Sequence, residues 1–241
     1  KGALIANCEI YNWVKLAEKY DLNVENDAEL LLELLDIKGT EALKELDGIY
    51  AFAYMRDSEI LIARDLLGVN PVWYSKESFA FASEKQALEN QGLEARELHP
   101  RQILKYNIQE EELIFEDREF FEIDVDEQKK MDEAAEEIKQ LFLDAVEKRI
   151  PEGELGLLFS GGVDSTLIAA ALQELGKDFT AYTAGIQHGN VDAPRDVEWA
   201  EKIAKEMDIE LKTHESNLEE VENTLSKTTE WISSTSVVKN G

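Results

Sequence analysis

"LLFSGGVDSTLIAAAL", residues 157–172, decides how this chain reads. An apolar run reaches Ser160, two glycines follow, and an apolar helical pattern opens at Asp164. That order predicts a buried strand, a tight turn and a helix. Upstream and downstream the same rhythm holds. "ELGLLFS", "DSTLIAAALQELG", "FTAYTAGI", "RDVEWAEKIAKEMD", "IELKTHE" and "NLEEVENTLSKTTEW" alternate strand-like and helix-like text over residues 154–231. Such alternation predicts a parallel sheet with right-handed crossovers, an α/β layout.

In open parallel sheets ligands bind beyond the carboxyl ends of the strands, where the turn at 160–165 falls. Gly161 and Gly162 are able to take backbone angles closed to other residues, and they lack a Cβ that would block close approach. Successive N–H groups and the start of the helix form a cradle for an anion, with hydroxyls added by Ser160 and Ser165. Asp164 would repel a phosphate. It either holds Mg²⁺ against the phosphates or caps the helix. Neither the GxGxxG nor the GxxxxGK[ST] pattern fits this turn.

Composition narrows the rest. Fifty-two acidic and 25 basic residues among 241 give a formal net charge of −27. That field disfavours nucleic acid and anionic membrane as partners. No run has the length of a membrane span, and no charged-then-apolar leader opens the chain. Cys8 is the single cysteine, which excludes an internal disulfide and fits a cytoplasmic location. His99, His188 and His214 lack metal-ligand spacing. Trp13, Trp73, Trp199 and Trp231 are scattered and read as core or interface residues.

The first half has a different texture. "GIYAFAYM" (48–55), "EILIARD" (59–65), "PVWYS" (71–75), "SFAFASE" (78–84), "QILKYNI" (102–108) and "ELIFED" (112–117) are short β-type runs between polar or Gly/Pro segments. They predict antiparallel meanders. "DAELLLELLDIKG" carries leucines at helical spacing from an acidic start to a glycine stop. Helices beside antiparallel sheets make an α+β domain. "DVDEQKK" (124–130) has no apolar pattern and reads as a linker. After it, Met131, Ala134, Ala135, Ile138, Leu141, Phe142, Ala145 and Val146 mark one face of a helix.

"SGGVDS" resembles the pyrophosphate-binding loop of the ATP pyrophosphatases. "NCEIYN" (7–12), "ENDAELL" (25–31), "LDGIYAFAYM" (46–55), "ARDLLGVNPVWY" (63–74) and "ASEKQAL" (82–88) stand in the order seen in glutamine-hydrolysing asparagine synthetases. The resemblance implies a partial glutaminase domain at 1–123. It also implies the N-terminal part of a Rossmann-like ATP-pyrophosphatase synthetase domain at 124–241. It implies ATP and Mg²⁺ as cofactors, and aspartate and glutamine as further small-molecule partners. The activity implied is a ligase that makes asparagine through an aspartyl adenylate. A β-lactam-synthetase-type enzyme and a non-catalytic nucleotide-binding relative share this architecture and remain alternatives. A homodimer is left open.

The resemblance also suggests roles. Asn7 and the N–H of Cys8 match the oxyanion donors of glutamine hydrolysis, with Cys8 in place of the family's glycine. Glu9 and Asp27 match the acids that hold the glutamine α-ammonium. Phe159, Ala184 and Gly185 match segments lining the adenosine pocket. Ser160, Gly161, Gly162, Asp164 and Ser165 match the phosphate and metal loop. Arg64 and Asp65 read as structural. Glu230 matches a glutamate that manages protons when ammonia attacks, or else is a solvated acid at a helix end. In that family the nucleophile is a cysteine at the first position. The chain begins with Lys1 and is shorter at both ends, so it reads as a fragment, and no glutamine hydrolysis is expected from it as given.

Overall fold

The computed structural model describes residues 1–123, 129–187 and 195–232. The chain divides into two compact units, Lys1–Val125 and Asp126–Gly241. The first is α+β and the second α/β.

The first unit is built on a five-stranded antiparallel sheet. Its strands are β1 (Ala3–Ile10), β2 (Gly48–Arg56), β3 (Glu59–Arg64), β7 (Gln102–Asn107) and β8 (Glu112–Asp117), paired in that order. A smaller sheet joins β4 (Trp73–Ser75) to β5 (Ala80–Ala82) and β6 (Arg96–Glu97). Helices α1 (Trp13–Tyr20) and α2 (Asp27–Lys38) precede a 3₁₀ turn at Gly39–Lys44, and the short α3 spans Lys85–Glu89. Strand β2 shows why the layers form. Its large residues Tyr50, Phe52 and Tyr54 join Leu30, Leu31, Leu34 and Leu35 of α2 in one core. Its small residues Ala51 and Ala53 point the other way, into a second core with Val72, Tyr74 and Leu98. Successive side chains alternate across a strand, so one uninterrupted apolar run serves both faces.

Helix α2 starts where the sequence supplies a cap. The Asn26 side chain accepts from the Glu29 N–H at 2.9 Å, and Glu29 in turn accepts from the Glu25 N–H at 2.8 Å. It stops at Gly39, whose φ of +58° only glycine takes easily. The first unit is clasped at Glu45, which accepts from Lys19 at 2.5 Å and from the Tyr20 hydroxyl at 2.7 Å and also pairs with Lys38. These donors, Lys19 foremost, pull the Glu45 carboxyl down to about 2.

The second unit holds α4 (Met131–Glu147), β9 (Gly156–Leu158), α5 (Val163–Glu174), β10 (Thr180–Gln187), α6 (Arg195–Glu206), β11 (Leu211–Asn217) and α7 (Leu218–Ile232). Its three strands are parallel, in the order β11-β10-β9. Its core cluster gathers Phe159 with Ala169, Ala181, Ala200 and Ala204, with Phe179 and Ile203 packed against it, and Leu172 and Val197 are buried as well. The apolar face expected for α4 is covered in part: Ala134, Phe142, Ala145 and Val146 are half-buried, while Met131, Ala135, Ile138 and Leu141 are exposed. Most of the expected linker, residues 124–128, and His188 lie outside the described residues. Among the described residues no helix is long and apolar enough to cross a membrane.

Candidate functional site

The glycine turn sits where β9 leaves the sheet. Strand β9 pairs with Thr180–Tyr182, and the next residue, Phe159, donates its N–H to the Tyr182 carbonyl at 2.8 Å. Strand β10 continues to Gln187 beside β11, so Ala184 and Gly185 extend beyond the last β9 partner at the same end of the sheet as the turn. Ala184 is exposed and Gly185 half-buried. Phe159 is 2 % exposed, so its ring belongs to the core and only its backbone reaches the turn.

The turn ties itself together with hydroxyls. Ser160 and Ser165 place their oxygens 3.2 Å apart. The Ser160 N–H donates to Ser165 Oγ at 3.3 Å, and the Gly162 N–H donates to Ser160 Oγ at 3.3 Å. Gly162 is the N-cap of α5 and contributes no capping side chain. The first N–H to bond back into the helix is that of Thr166, to the Gly162 carbonyl at 3.0 Å. The amides of Val163, Asp164 and Ser165 therefore have no carbonyl one turn earlier to bond. They form the positive end of the helix and suit an anion. Asp164 is the second helical residue and exposed, so it does not cap the helix. Among the described residues no three His, Cys, Asp or Glu side chains form a metal cage. A lone exposed carboxylate beside open amides fits Mg²⁺ that takes its remaining ligands from phosphate oxygens and water.

The two glycines do different work from that expected. Gly161 has φ of +70°, but Gly162, at φ −70° and ψ 168°, holds a conformation any residue adopts. The missing Cβ at Gly161 makes room for α6: a Cβ there would lie 3.0 Å from the Ala200 Cα and 3.2 Å from Trp199 Cδ1. Trp199 is likewise not a core residue. It is half-exposed, and its indole N–H donates to the Gly161 carbonyl at 3.0 Å. Glu230 falls within α7, but its side chain lies outside the described residues.

In the first unit the expected residues divide between the two faces of β1. Asn7 and Glu9 are exposed on one face; Leu4, Ala6, Cys8 and Ile10 turn to the helical core on the other. Asp27, the first residue of α2, lies on the Cys8 side. Its Oδ2 accepts the Ile10 N–H at 3.0 Å. Burial, with Asp27 and then Glu9, pushes the Cys8 thiol up to about 12. It stays protonated at neutral pH and is no thiolate nucleophile.

The segment after β3 buttresses Asn7. Asp65, buried, accepts from Val69 N–H at 3.0 Å and Asn70 N–H at 3.1 Å, and the Asn70 amide then donates to the Asn7 carbonyl at 3.1 Å. Arg64, also buried, donates to the carbonyls of Gly68 at 2.6 Å and Leu98 at 3.1 Å. Neither Asn70 nor Trp199 carries a signal in local spacing, because their partners lie 63 and 38 residues away.

Comparison with known proteins gives a match in each half of the chain. A glutamine amidotransferase domain profile matches residues 1–130, and an asparagine synthase profile matches residues 137–240. A putative glutamine-hydrolysing asparagine synthetase of Methanocaldococcus jannaschii is 29% identical over 99% of this chain and 47% of its own length. Asparagine synthetase B of Escherichia coli is 32% identical over 69% of this chain and 31% of its own length.

 

A probable asparagine synthetase of Acanthamoeba polyphaga mimivirus is 31% identical over 71% of this chain and 36% of its own length. The chain thus spans less than half the length of each of these relatives. With an amidotransferase half, a synthase half and the SGGVDS turn in one order, the chain belongs to the family of glutamine-hydrolysing asparagine synthetases.

Proposed function

We propose that the chain serves in ATP-dependent asparagine synthesis with glutamine as the nitrogen source, as part of a cytoplasmic ligase. The observation that carries this reading is the turn at 160–165. It is exposed at a parallel-strand end, its hydroxyls are folded inward, and the first amides of α5 lack helical partners. ATP places its β- and γ-phosphates on these amides. Asp164 would hold Mg²⁺, which would offset the charge of the phosphates. The backbone of Phe159 and the strand positions Ala184 and Gly185 border the adenosine. The aspartate side-chain carboxylate displaces pyrophosphate to give an aspartyl adenylate. Ammonia from glutamine then attacks that acyl carbon and AMP leaves, with Glu230 taking up the proton.

On the glutamine side, the Asn7 amide and the Cys8 N–H serve the oxyanion, and Glu9 and Asp27 serve the α-ammonium. Cys8 contributes its backbone, not its sulfur. The partners are small molecules, with nucleic acid and membrane not expected and a homodimer open. The test is aspartate-dependent exchange of pyrophosphate into ATP. Asp164→Asn should lower it by about tenfold or more, the loss of one charged metal ligand. Unchanged exchange would sink the assignment of Asp164.

A further inference from the structure

We infer that Trp199 is a positioning residue for the phosphate turn: α6 holds residues 160–162 from outside so that the amides of α5 stay aimed at the ligand. This rests on the nucleotide reading proposed above and adds a residue to it. Three observations converge. The Trp199 indole N–H donates to the Gly161 carbonyl at 3.0 Å. Gly161 has a positive φ of +70°, so its carbonyl is turned to a direction that an ordinary residue would not hold. The turn also lies so close to α6 that a Cβ on Gly161 would meet Ala200 backbone at 3.0 Å.

The two sides of the turn are held by different means. On the helix side, Ser160 and Ser165 hold each other and the Gly162 N–H. Those bonds lie within six residues and move with the turn. The bond to Trp199 ties the turn to another element, and α6 is itself anchored by the fully buried Val197 and Ala200. Lys202 lies over the Trp199 ring at 5.0 Å, which steadies the indole. A donor fixed in this way sets where the Gly161–Gly162 peptide points, and with it the entrance to the amide cradle.

The test uses the whole chain and MgATP, with three forms of residue 199. Trp199→Phe keeps a ring and removes the N–H. Trp199→Ala removes both. Replacing Trp199 with 3-benzothienylalanine keeps the shape and removes only the donor. Two readouts are taken: MgATP affinity by calorimetry, and amide hydrogen exchange over residues 160–166. Loss of the donor alone should weaken MgATP about fivefold, the size of one hydrogen bond. Exchange at the turn should rise while α4 and β11 keep their protection. If the benzothienyl form binds MgATP as tightly as the parent and exchanges at the same rate, the inference is overturned. If the parent itself does not bind MgATP, the nucleotide reading falls, and the exchange comparison alone decides whether Trp199 positions the turn.

Discussion

The two units fill their interiors in opposite ways. In the first, Leu30, Leu31, Leu34 and Leu35 of one helix meet Tyr50, Phe52 and Tyr54 of one strand, so large side chains hold the layers apart and fill the gap. In the second, the central buried positions are Ala169, Ala181, Ala200 and Ala204 around a single Phe159, and the backbones themselves draw close. On the function proposed above, the difference follows from what each must hold. A cradle made of backbone amides needs its turn pressed against a neighbouring helix, and only small residues permit that approach. A site made of side chains on a strand needs a stiff platform, and bulky packing supplies one.

That contrast predicts opposite responses to a change in volume. Leu34→Ala, made in the first unit, should open a cavity and cost about 3 kcal/mol, seen as a lower urea midpoint for that unit. Ala200→Leu should cost about 2 kcal/mol by overpacking and should also weaken MgATP, because Ala200 backs the turn. If enlarging Ala200 is as harmless as an exposed substitution, the close-backbone account of the second unit is wrong.

A smaller effect separates the glycines. Gly161→Ala must hold a left-handed backbone and press on Ala200, at a cost of about 1–2 kcal/mol. Gly162→Ala meets only Ser160 Oγ at 3.3 Å in an ordinary conformation and should change stability little. Equal losses at the two positions would erase the distinction.

The smallest effect at neutral pH belongs to Cys8. Its folded thiol is raised to about 12 from the usual 9. A raised value means that the folded state keeps its proton longer than the unfolded chain. The stabilisation is therefore complete below pH 9 and is lost as pH climbs toward 12. Cys8→Ala should leave the pH 7 midpoint nearly unmoved and flatten its fall between pH 9 and 11. The parent thiol should also alkylate slowly at pH 8; rapid alkylation would show that the site is not as closed as its burial indicates.

Local patterns made much of this legible. The alternation of strand and helix text after residue 154, the leucine periodicity of α2 with its glycine stop, and the six β-type runs all correspond to elements of the structure. Other elements, the short α3 and the 3₁₀ turn among them, did not announce themselves. Strand β1 lacks a clean alternation because Ala3 and Ile5 share its outer face with Asn7 and Glu9, α1 has only eight residues, and β6 has two. The turn was readable as a turn, but not the division of labour within it. Which glycine needs a positive φ, and which neighbour fills the space, depends on α6, a helix that begins more than thirty residues later. The same holds for Asn70, whose bond to Asn7 joins two segments that share no pattern.

The two-sided character of β1 bears on how this protein can change over generations. Exchanging one residue for another in β1 alters one contact and can be graded. Losing or gaining a single residue there is different. With the pairing to β2 kept downstream, every position upstream of the change swaps sides, so that Leu4 would turn outward and Ile5 inward. If the slip is taken up downstream instead, Asn7 and Glu9 enter the core while Cys8 leaves it. The length of this strand is therefore under tighter selection than the identity of its residues, and variation in β1 should accumulate as substitutions at fixed length.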